Sequence, residues 1–258
     1  MNDTRRVQDR RGRSVSQWIF GLHAVLEAIE RTPDRVTRIV VAQGREEGRL
    51  RLLLAAARRA GVAVRREPTV AIDRLAGKGA VHQGVLALLA EAPYADPEHL
   101  LASAPSPALF VVLDGVEDPH NLGAVIRSAV AAGAHALFLP EHHSAGLSAG
   151  AVKASAGTAL RFPVAKVGNL SAFLSRLKEK GVWVVGCDQE GAPLWSGFDL
   201  KQPVALVLGG EGKGLRRLTR ERCDVVLSIP LSAGVESLNV SVAAGIALYE
   251  VVRQRAKA

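Results

Sequence analysis

Polar side chains and glycines that could do chemistry gather in three separated stretches of the chain. LDGVEDPHNLGAVIRSAV holds Asn121 and Arg127, VALVLGGEGKGL holds Glu211, and IPLSAGVESLNVSVAAGIALYE holds Ser237 and Asn239. A short apolar run of the kind that forms a strand precedes the polar residues in each stretch. Because ligands of α/β proteins bind outside the carboxyl ends of the strands, this pattern predicts one shared site built from all three stretches.

Arg127 lies in the apolar run AVIRSAVAA, where a charged side chain is unusual. A guanidinium is effectively always protonated, so it is suited to binding phosphate or stabilising negative charge. A structural salt bridge inside a buried helix explains the residue equally well. Asn121 is six residues away, so the two side chains need not share one helix face.

The remaining polar residues each have a structural explanation beside a chemical one. Glu211 could accept a proton or anchor the first stretch, but a carboxylate at a helix start is also favoured by the helix dipole. Ser237 and Asn239 flank the start of the last helix, where capping alone would explain either. A nucleophilic Ser237 is disfavoured, since no GxSxG turn surrounds it. We assign His120, beside Asn121, to the loop.

Several common site signatures are missing from the sequence. No HExxH, CxxC or clustered carboxylate pattern occurs, so we predict no metal. GGEGKGL lacks the GK[ST] ending of a phosphate-binding loop, which disfavours a nucleotide hydrolase. Cys187 and Cys223 are too few for a disulfide framework or a zinc site, and we expect free thiols.

The basic composition fits a polyanionic partner such as nucleic acid about as well as it fits an ordinary, mildly basic soluble protein, and we expect a cytoplasmic location. The 258 residues carry a net charge of +8. The hydrophobic content of 48% is enough for a sizeable core. The aromatic content of 4% argues against an unspecific single-strand binder built on base stacking. The polar first residues predict no signal peptide, and no apolar run approaches the roughly 20 residues of a membrane span.

Alternating strand and helix patterns predict two α/β domains. Residues 1–16 form a basic arm that we expect to be disordered, residues 17–92 a small domain, and residues 93–107, with four prolines, a linker. Residues 108–258 form the larger domain, whose continuous apolar strands are typical of a parallel sheet covered on both faces. Within it, Asn121 is predicted to cap a helix that ends at Gly133.

The smaller domain has a basic face. The arginines that we assign to this face are Arg45, Arg49, Arg51, Arg58, Arg59, Arg65 and Arg66. An ordinary solvated helix surface explains them almost as well as contact with RNA phosphates. His82 and Gln83, in a glycine-flanked turn, could contact base edges, and a purely structural turn is at least as good an explanation.

The three stretches resemble the signature motifs of the SpoU (TrmH) family of RNA 2'-O-ribose methyltransferases, and they occur in the family's order. NLGAVIRSA with Asn121 and Arg127 is the first motif, LVLGGEGKGL with Glu211 the second, and IPLSAGVESLNVSVAAGIALYE the third. The resemblance implies an α/β domain with a deep trefoil knot (SPOUT fold) that binds S-adenosylmethionine, without a metal. GLHAVLEAI and VHQGVLAL in the N-terminal part resemble the ribosomal-protein-like substrate-binding domain of enzymes that methylate 23S rRNA.

The resemblance also assigns roles to individual residues. Backbone groups of Gly209, Ile229 and Leu238 would hold the methyl donor. The set with side-chain roles in catalysis is Asn121, Arg127, Glu211, Ser237 and Asn239. Arg127 would help to remove the proton of the 2'-hydroxyl, although phosphate clamping and stabilisation of the developing alkoxide are physically easier for a guanidinium. Which group takes that proton stays open.

We therefore predict a homodimeric, S-adenosylmethionine-dependent 2'-O-methyltransferase that acts on a guanosine of 23S rRNA. The family works with its sites near the subunit interface, and the last helix, VAAGIALYEVV, could supply that interface or belong to the core. A tRNA guanosine is the alternative substrate. A non-catalytic RNA-binding assembly factor is the alternative function, although such a protein has no need of the complete set of motif residues.

Overall fold

The computed structural model describes residues 17–44, 48–77, 79–90, 94–194, 197–210, 214–232 and 234–256. The basic arm predicted over residues 1–16 lies outside these ranges, as do Arg45 and Glu211. The chain divides into two compact units, Met1–Pro93 with Leu147–Arg161 and Tyr94–Gly146 with Phe162–Ala258. Strands and helices are numbered below in chain order.

The first unit is a small α/β layer. Its elements are β1 (Gln17–Phe20), α1 (Leu22–Arg31), β2 (Val36–Ala42), α2 (Arg49–Arg59), β3 (Val64–Glu67), α3 (Thr69–Ala76), β4 (Val85–Leu89) and α6 (Ala149–Ala154). The sheet order is β1-β4-β2-β3, with β4 antiparallel to both of its neighbours and β3 parallel to β2. The alternation of strands and helices that the sequence predicts for residues 17–92 is present in this unit.

The second unit is built on a parallel sheet. Its elements are α4 (Pro97–Ser103), β5 (Leu109–Asp114), α5 (Pro119–Ala131), β6 (Ala136–Pro140), β7 (Val164–Val167), α7 (Leu170–Glu179), β8 (Trp183–Pro193), β9 (Val204–Gly209), α8 (Arg217–Arg222), β10 (Val225–Ser228) and α9 (Val240–Arg255). The strand order is β10-β8-β9-β5-β6-β7, and all neighbouring strands run parallel. The predicted α/β class is confirmed.

The central strands are apolar because both of their faces are covered. All residues of β5 and β6 are buried. On one face Phe110 packs edge-on against Phe138 with ring centroids 5.5 Å apart, and Phe138 packs against Phe173 of α7 at 4.5 Å. Helix α5 packs on α9, and α9 on β9. Because helices cover both faces of the sheet, a ligand can reach it only at the edge where the strands end.

The strand order places a topological switch point beside β5. From β5 the chain proceeds to β6 and β7 on one side, and it later returns through β8, β9 and β10 on the other. Strands β5 and β9 are paired along their whole length, so Asp114 and Gly209 end side by side. Ligands of doubly wound sheets bind at such a crevice.

The segment predicted as a linker, residues 93–107, contains a helix instead. Helix α4 begins with Pro97, and Asp96 caps it by accepting the backbone N–H of His99 at 2.8 Å. Leu100 and Leu101 pack against the core of the second unit. The prolines were misleading because proline is favoured at the first position of a helix as well as in linkers.

Candidate active site

The residue that caps the N-terminus of α5 differs from the one that the sequence predicted. Asp118, not Asn121, is the N-cap, and its carboxylate accepts the N–H of His120 at 2.9 Å. The capping prediction for Asn121 is therefore wrong, since Asn121 lies inside the first turn and is only 7% exposed. The predicted helix end is confirmed, because Gly133 follows the C-cap with φ of 75°.

Asn121 instead contacts the third motif. Asn239 donates from Nδ2 to the Asn121 Oδ1 at 3.0 Å, across 118 residues of sequence. Asn239 is also the N-cap of α9, because its Oδ1 accepts the N–H of Ser241 at 2.9 Å. Capping thus explains the position of Asn239, but it does not explain the hydrogen bond to Asn121. The first and third motifs meet at these two side chains.

Arg127 is exposed on α5. Among the residues that the structure describes, no carboxylate forms an ion pair with it, so the alternative of a structural salt bridge has no support there. Arg127 and Asn121 do not line the cavity that contains Gly209, Ile229 and Leu238. The neighbours Val125, Ile126 and Ala129 are buried as the apolar run suggests, but Arg127 lies on the exposed side of α5, where an arginine needs no partner.

The glycines of the second motif allow close backbone packing. A Cβ at Gly209 would overlap with the carbonyl of Gly214, and a Cβ at Gly210 would overlap with the carbonyl of Gly115. Gly210 also forms a bridge with Gly214, so the chain turns back on itself here. Glycine is needed at both positions because backbone, rather than a side chain, occupies the space of the missing Cβ.

A cavity of about 450 Å³ opens at the ends of β8, β9 and β10. Gly209, Ile229 and Leu238, which the sequence assigned to the methyl donor, all line it. Ser237 is exposed on its rim. The volume lies within the range of roughly 300–1,000 Å³ that is typical of small-molecule sites. Loop backbone at the ends of the strands offers N–H and C=O groups to a bound ligand.

The sequence reasoning missed the polar wall of this cavity. Asp188, Gln189 and Glu190, in the middle of β8 where its pairing with β10 is irregular, line it together with Arg220. Arg220 donates from Nη1 to Asp188 at 3.2 Å and to Glu190 at 2.7 Å. Gln189 donates from its amide to the carbonyl of Glu236 in the third motif. The only sequence signal for these residues was their position at the end of the apolar run VWVVGCD, whose last residue is Asp188, and just beyond it.

Both cysteines are free, and Cys187 lines the cavity. Burial, followed by the nearby Cys223 thiol, raises the pKa of Cys187 from 9.0 to about 12. Burial, followed by Asp224, likewise raises the pKa of Cys223 to about 12. Both side chains are therefore protonated thiols at neutral pH, and neither is activated as a nucleophile.

Within the described residues, no three His, Cys, Asp or Glu side chains come together as metal ligands. The same part of the chain contains no helix with the length and apolar character needed to span a bilayer.

The first unit presents its arginines to solvent. The exposed arginines are Arg49, Arg51, Arg58 and Arg59 of α2 and Arg65 and Arg66 of β3.

The turn that contains His82 and Gln83 is held by hydrogen bonds within the first unit. His82 contacts Asp73 through Nε2 at 2.8 Å and accepts the N–H of Gly84 at Nδ1, while Gln83 accepts the N–H of Leu22. These contacts favour the structural explanation of the turn over base recognition.

Two family models match the chain. The SpoU rRNA Methylase family matches residues 108–249, and the RNA 2'-O ribose methyltransferase substrate-binding family matches residues 18–95.

Full-length relatives and a solved structure agree with the family models. The chain is 47% identical over 243 residues to the 23S rRNA (guanosine-2'-O-)-methyltransferase RlmB of Xylella fastidiosa, covering 93% of this chain and 97% of the relative. It is 43% identical to the enzyme of the same name from Escherichia coli, covering 93% and 100%. The SpoU methyltransferase AviRb of Streptomyces viridochromogenes, in complex with the cofactor AdoMet, superimposes with a TM-score of 0.78 at 27% identity, covering 94% and 92% of the two chains.

Proposed function

The chain belongs to the SpoU rRNA methylase family, and from this premise we propose that it transfers the methyl group of S-adenosylmethionine to the 2'-hydroxyl of a guanosine in 23S rRNA. The observation that carries the proposal is the cavity at the ends of β8, β9 and β10. Gly209, Ile229 and Leu238 come from three separate segments and line it together. The Asn121–Asn239 contact brings the first and third motifs together at the same edge of the sheet.

The residues of this cavity fit the proposed methyl donor. S-adenosylmethionine supplies an activated methyl group on a sulfonium cation. In the part of the chain that the structure describes, the carboxylates of Asp188, Glu190 and Glu236 and the guanidinium of Arg220 line the cavity, so this part of the wall has an excess of negative charge that suits a cation. Backbone groups of Gly209, Ile229 and Leu238 would hold the donor, as the family resemblance implies.

The chain's own part in the reaction is to orient the ribose and to manage the proton of its hydroxyl. Arg127 is exposed and free of a described ion pair, so its guanidinium is available to clamp a substrate phosphate and to stabilise the developing alkoxide. Ser237 on the cavity rim and Asn239 at the start of α9 would hold the third-motif loop toward the substrate. Glu211 would anchor this set or accept the proton.

We further propose that the enzyme works in the cytoplasm as a homodimer with the knotted chain path of its family. Val242 and Tyr249 of α9 are 49% and 53% exposed and lie seven residues apart, on one face of the helix. An apolar stripe on the helix that begins at the site is suited to a second copy of the chain. Residues 17–92 would select the RNA through the exposed arginines, and residues 108–258 would carry out the transfer.

The experiment compares methyl transfer from labelled S-adenosylmethionine to an unmodified 23S rRNA transcript and to an unmodified tRNA pool. We expect labelling of the 23S transcript only. Labelling of tRNA alone would keep the catalytic assignment and contradict the proposed substrate. Binding of both RNAs without labelling of either would favour the non-catalytic assembly factor.

A further inference from the structure

Two carboxylates, one from each of the strands that flank β9, hold the second motif where it returns to the sheet. We use the name second-motif turn for Gly209, Gly210, Gly214 and Leu215. The N–H of Leu215 donates to Asp188 Oδ2 at 3.1 Å, and the N–H of the next residue, Arg216, donates to Asp114 Oδ2 at 3.0 Å. Because β9 lies between β8 and β5, the two acceptors flank the turn from opposite sides.

Asp188 is the acceptor that faces the cavity. Its side chain is 10% exposed, lines the cavity and faces Arg220 at 3.2 Å. A Cβ at Gly214 would lie 2.6 Å from Asp188 Oδ2, so the carboxylate packs directly against the backbone of the turn. Asp114 on the other side is fully buried and does not line the cavity.

The turn that Asp188 holds is also the floor of the cavity. Gly209, Gly210, Gly214 and Leu215 all line it, as Asp188 itself does. A hydrogen bond from a backbone N–H to a carboxylate is charge-assisted and roughly twice as strong as one between neutral groups. Loss of the Asp188 carboxylate would release the floor on one side while Asp114 continued to hold the other.

We infer that Asp188 is a positioning residue that shapes the donor site by fixing the second-motif turn, an inference that rests on the proposed function. Its Oδ2 accepts the N–H of Leu215, and Arg220 holds the carboxylate in place. Asp188 does not take part in the chemical step. Its removal therefore weakens donor binding, while the rate at saturating donor changes much less.

The test measures the dissociation constant of S-adenosylmethionine by calorimetry for Asp188→Ala, Asp188→Asn and a control, Asp224→Ala. Asp224 accepts the N–H of Val184 at 2.8 Å at the other end of β8, so the control loses the same kind of bond away from the cavity. We expect Asp188→Ala to raise the dissociation constant at least about tenfold, equivalent to about 1.4 kcal/mol. Asp188→Asn, whose amide oxygen can still accept the N–H but without charge assistance, should raise the dissociation constant clearly less than Asp188→Ala does.

Thermal unfolding of the same variants separates positioning from general stability. Asp188→Ala and Asp224→Ala should lower the melting temperature similarly, but only the former should weaken donor binding. Unchanged affinity in Asp188→Ala, or equal weakening in Asp224→Ala, would overturn the inference. If Asp188→Ala does not fold, Gly214→Ala, which pushes the carboxylate away, takes its place with the same expected result. Wild-type protein that binds no donor would instead refute the proposed function.

Discussion

The contact between Asn239 and Asn121 gives the sharpest stability prediction. Asn239 has two functions in the structure, because it caps α9 and donates to Asn121 of α5. Loss of an N-cap costs about 1 kcal/mol, and loss of a hydrogen bond costs about 1 kcal/mol. Asn239→Ala should therefore lower the free energy of unfolding by about 2 kcal/mol.

Two further variants separate the two functions of Asn239. Asn239→Ser keeps a capping oxygen but has no amide to reach Asn121, so it should lose only about 1 kcal/mol. Asn121→Ala removes the other partner and should also cost about 1 kcal/mol. The double variant Asn121→Ala with Asn239→Ala should cost about 2 kcal/mol rather than 3, which is a coupling of about 1 kcal/mol.

The assay is equilibrium unfolding in urea, followed by circular dichroism. With a dependence of about 2 kcal/mol per molar urea, Asn239→Ala should shift the midpoint by about 1 M. A coupling below about 0.3 kcal/mol between the two positions would refute the reasoning, because it would mean that the motifs do not support each other through this bond.

Three other variants and conditions are expected to have specific effects. Arg127→Ala should reduce methyl transfer at least about a hundredfold and leave donor affinity within about twofold, as measured by single-turnover transfer and calorimetry; full activity would remove Arg127 from the mechanism. Gly209→Ala should weaken donor binding and lower the melting temperature, because its methyl group overlaps with returning backbone, whereas wild-type affinity would contradict that packing. Cys187 and Cys223 keep their protons up to a pKa of about 12 in the folded chain, against a normal pKa of 9.0. Their contribution to stability is intact below pH 9.0 and is lost as the pH rises toward 12. The urea midpoint should therefore fall over this range, and less steeply when both are replaced by alanine; equal slopes would show that other groups titrate.

The strands and most helices could be predicted because their cause is local. The apolar runs that form β5 and β9 are long enough to indicate parallel strands buried on both faces. Once these strands are located in the sequence, the polar motifs that come directly after them must lie at the strand ends. The assignment of Gly209, Ile229 and Leu238 to the methyl donor came from resemblance alone, and the structure places all three around one cavity.

Two errors have the same physical origin. Asp96-Pro97 and Asp118-Pro119 both start helices, with an aspartate as N-cap and a proline in the first turn. This dipeptide is a start signal that can be read from the sequence. Missing it led to a linker in place of α4 and to a capping role for Asn121.

The polar wall of the cavity could not have been found from spacing. Asp188 is 27 residues from its partner Leu215, and Asp114, which holds the same turn from outside the cavity, is 102 residues from Arg216. These contacts depend on the strand order, in which β8 and β5 flank β9. No local pattern encodes that order, so the positioning role of Asp188 became visible only in three dimensions.

The most direct measurement of the central claim is the identity of the methylated nucleoside. A 23S rRNA transcript is incubated with the protein and labelled S-adenosylmethionine, digested to nucleosides, and analysed by chromatography with mass spectrometry. We predict that the label appears in 2'-O-methylguanosine alone and is absent with Arg127→Ala. Label in a base-methylated guanosine, or in another nucleoside, would contradict the account.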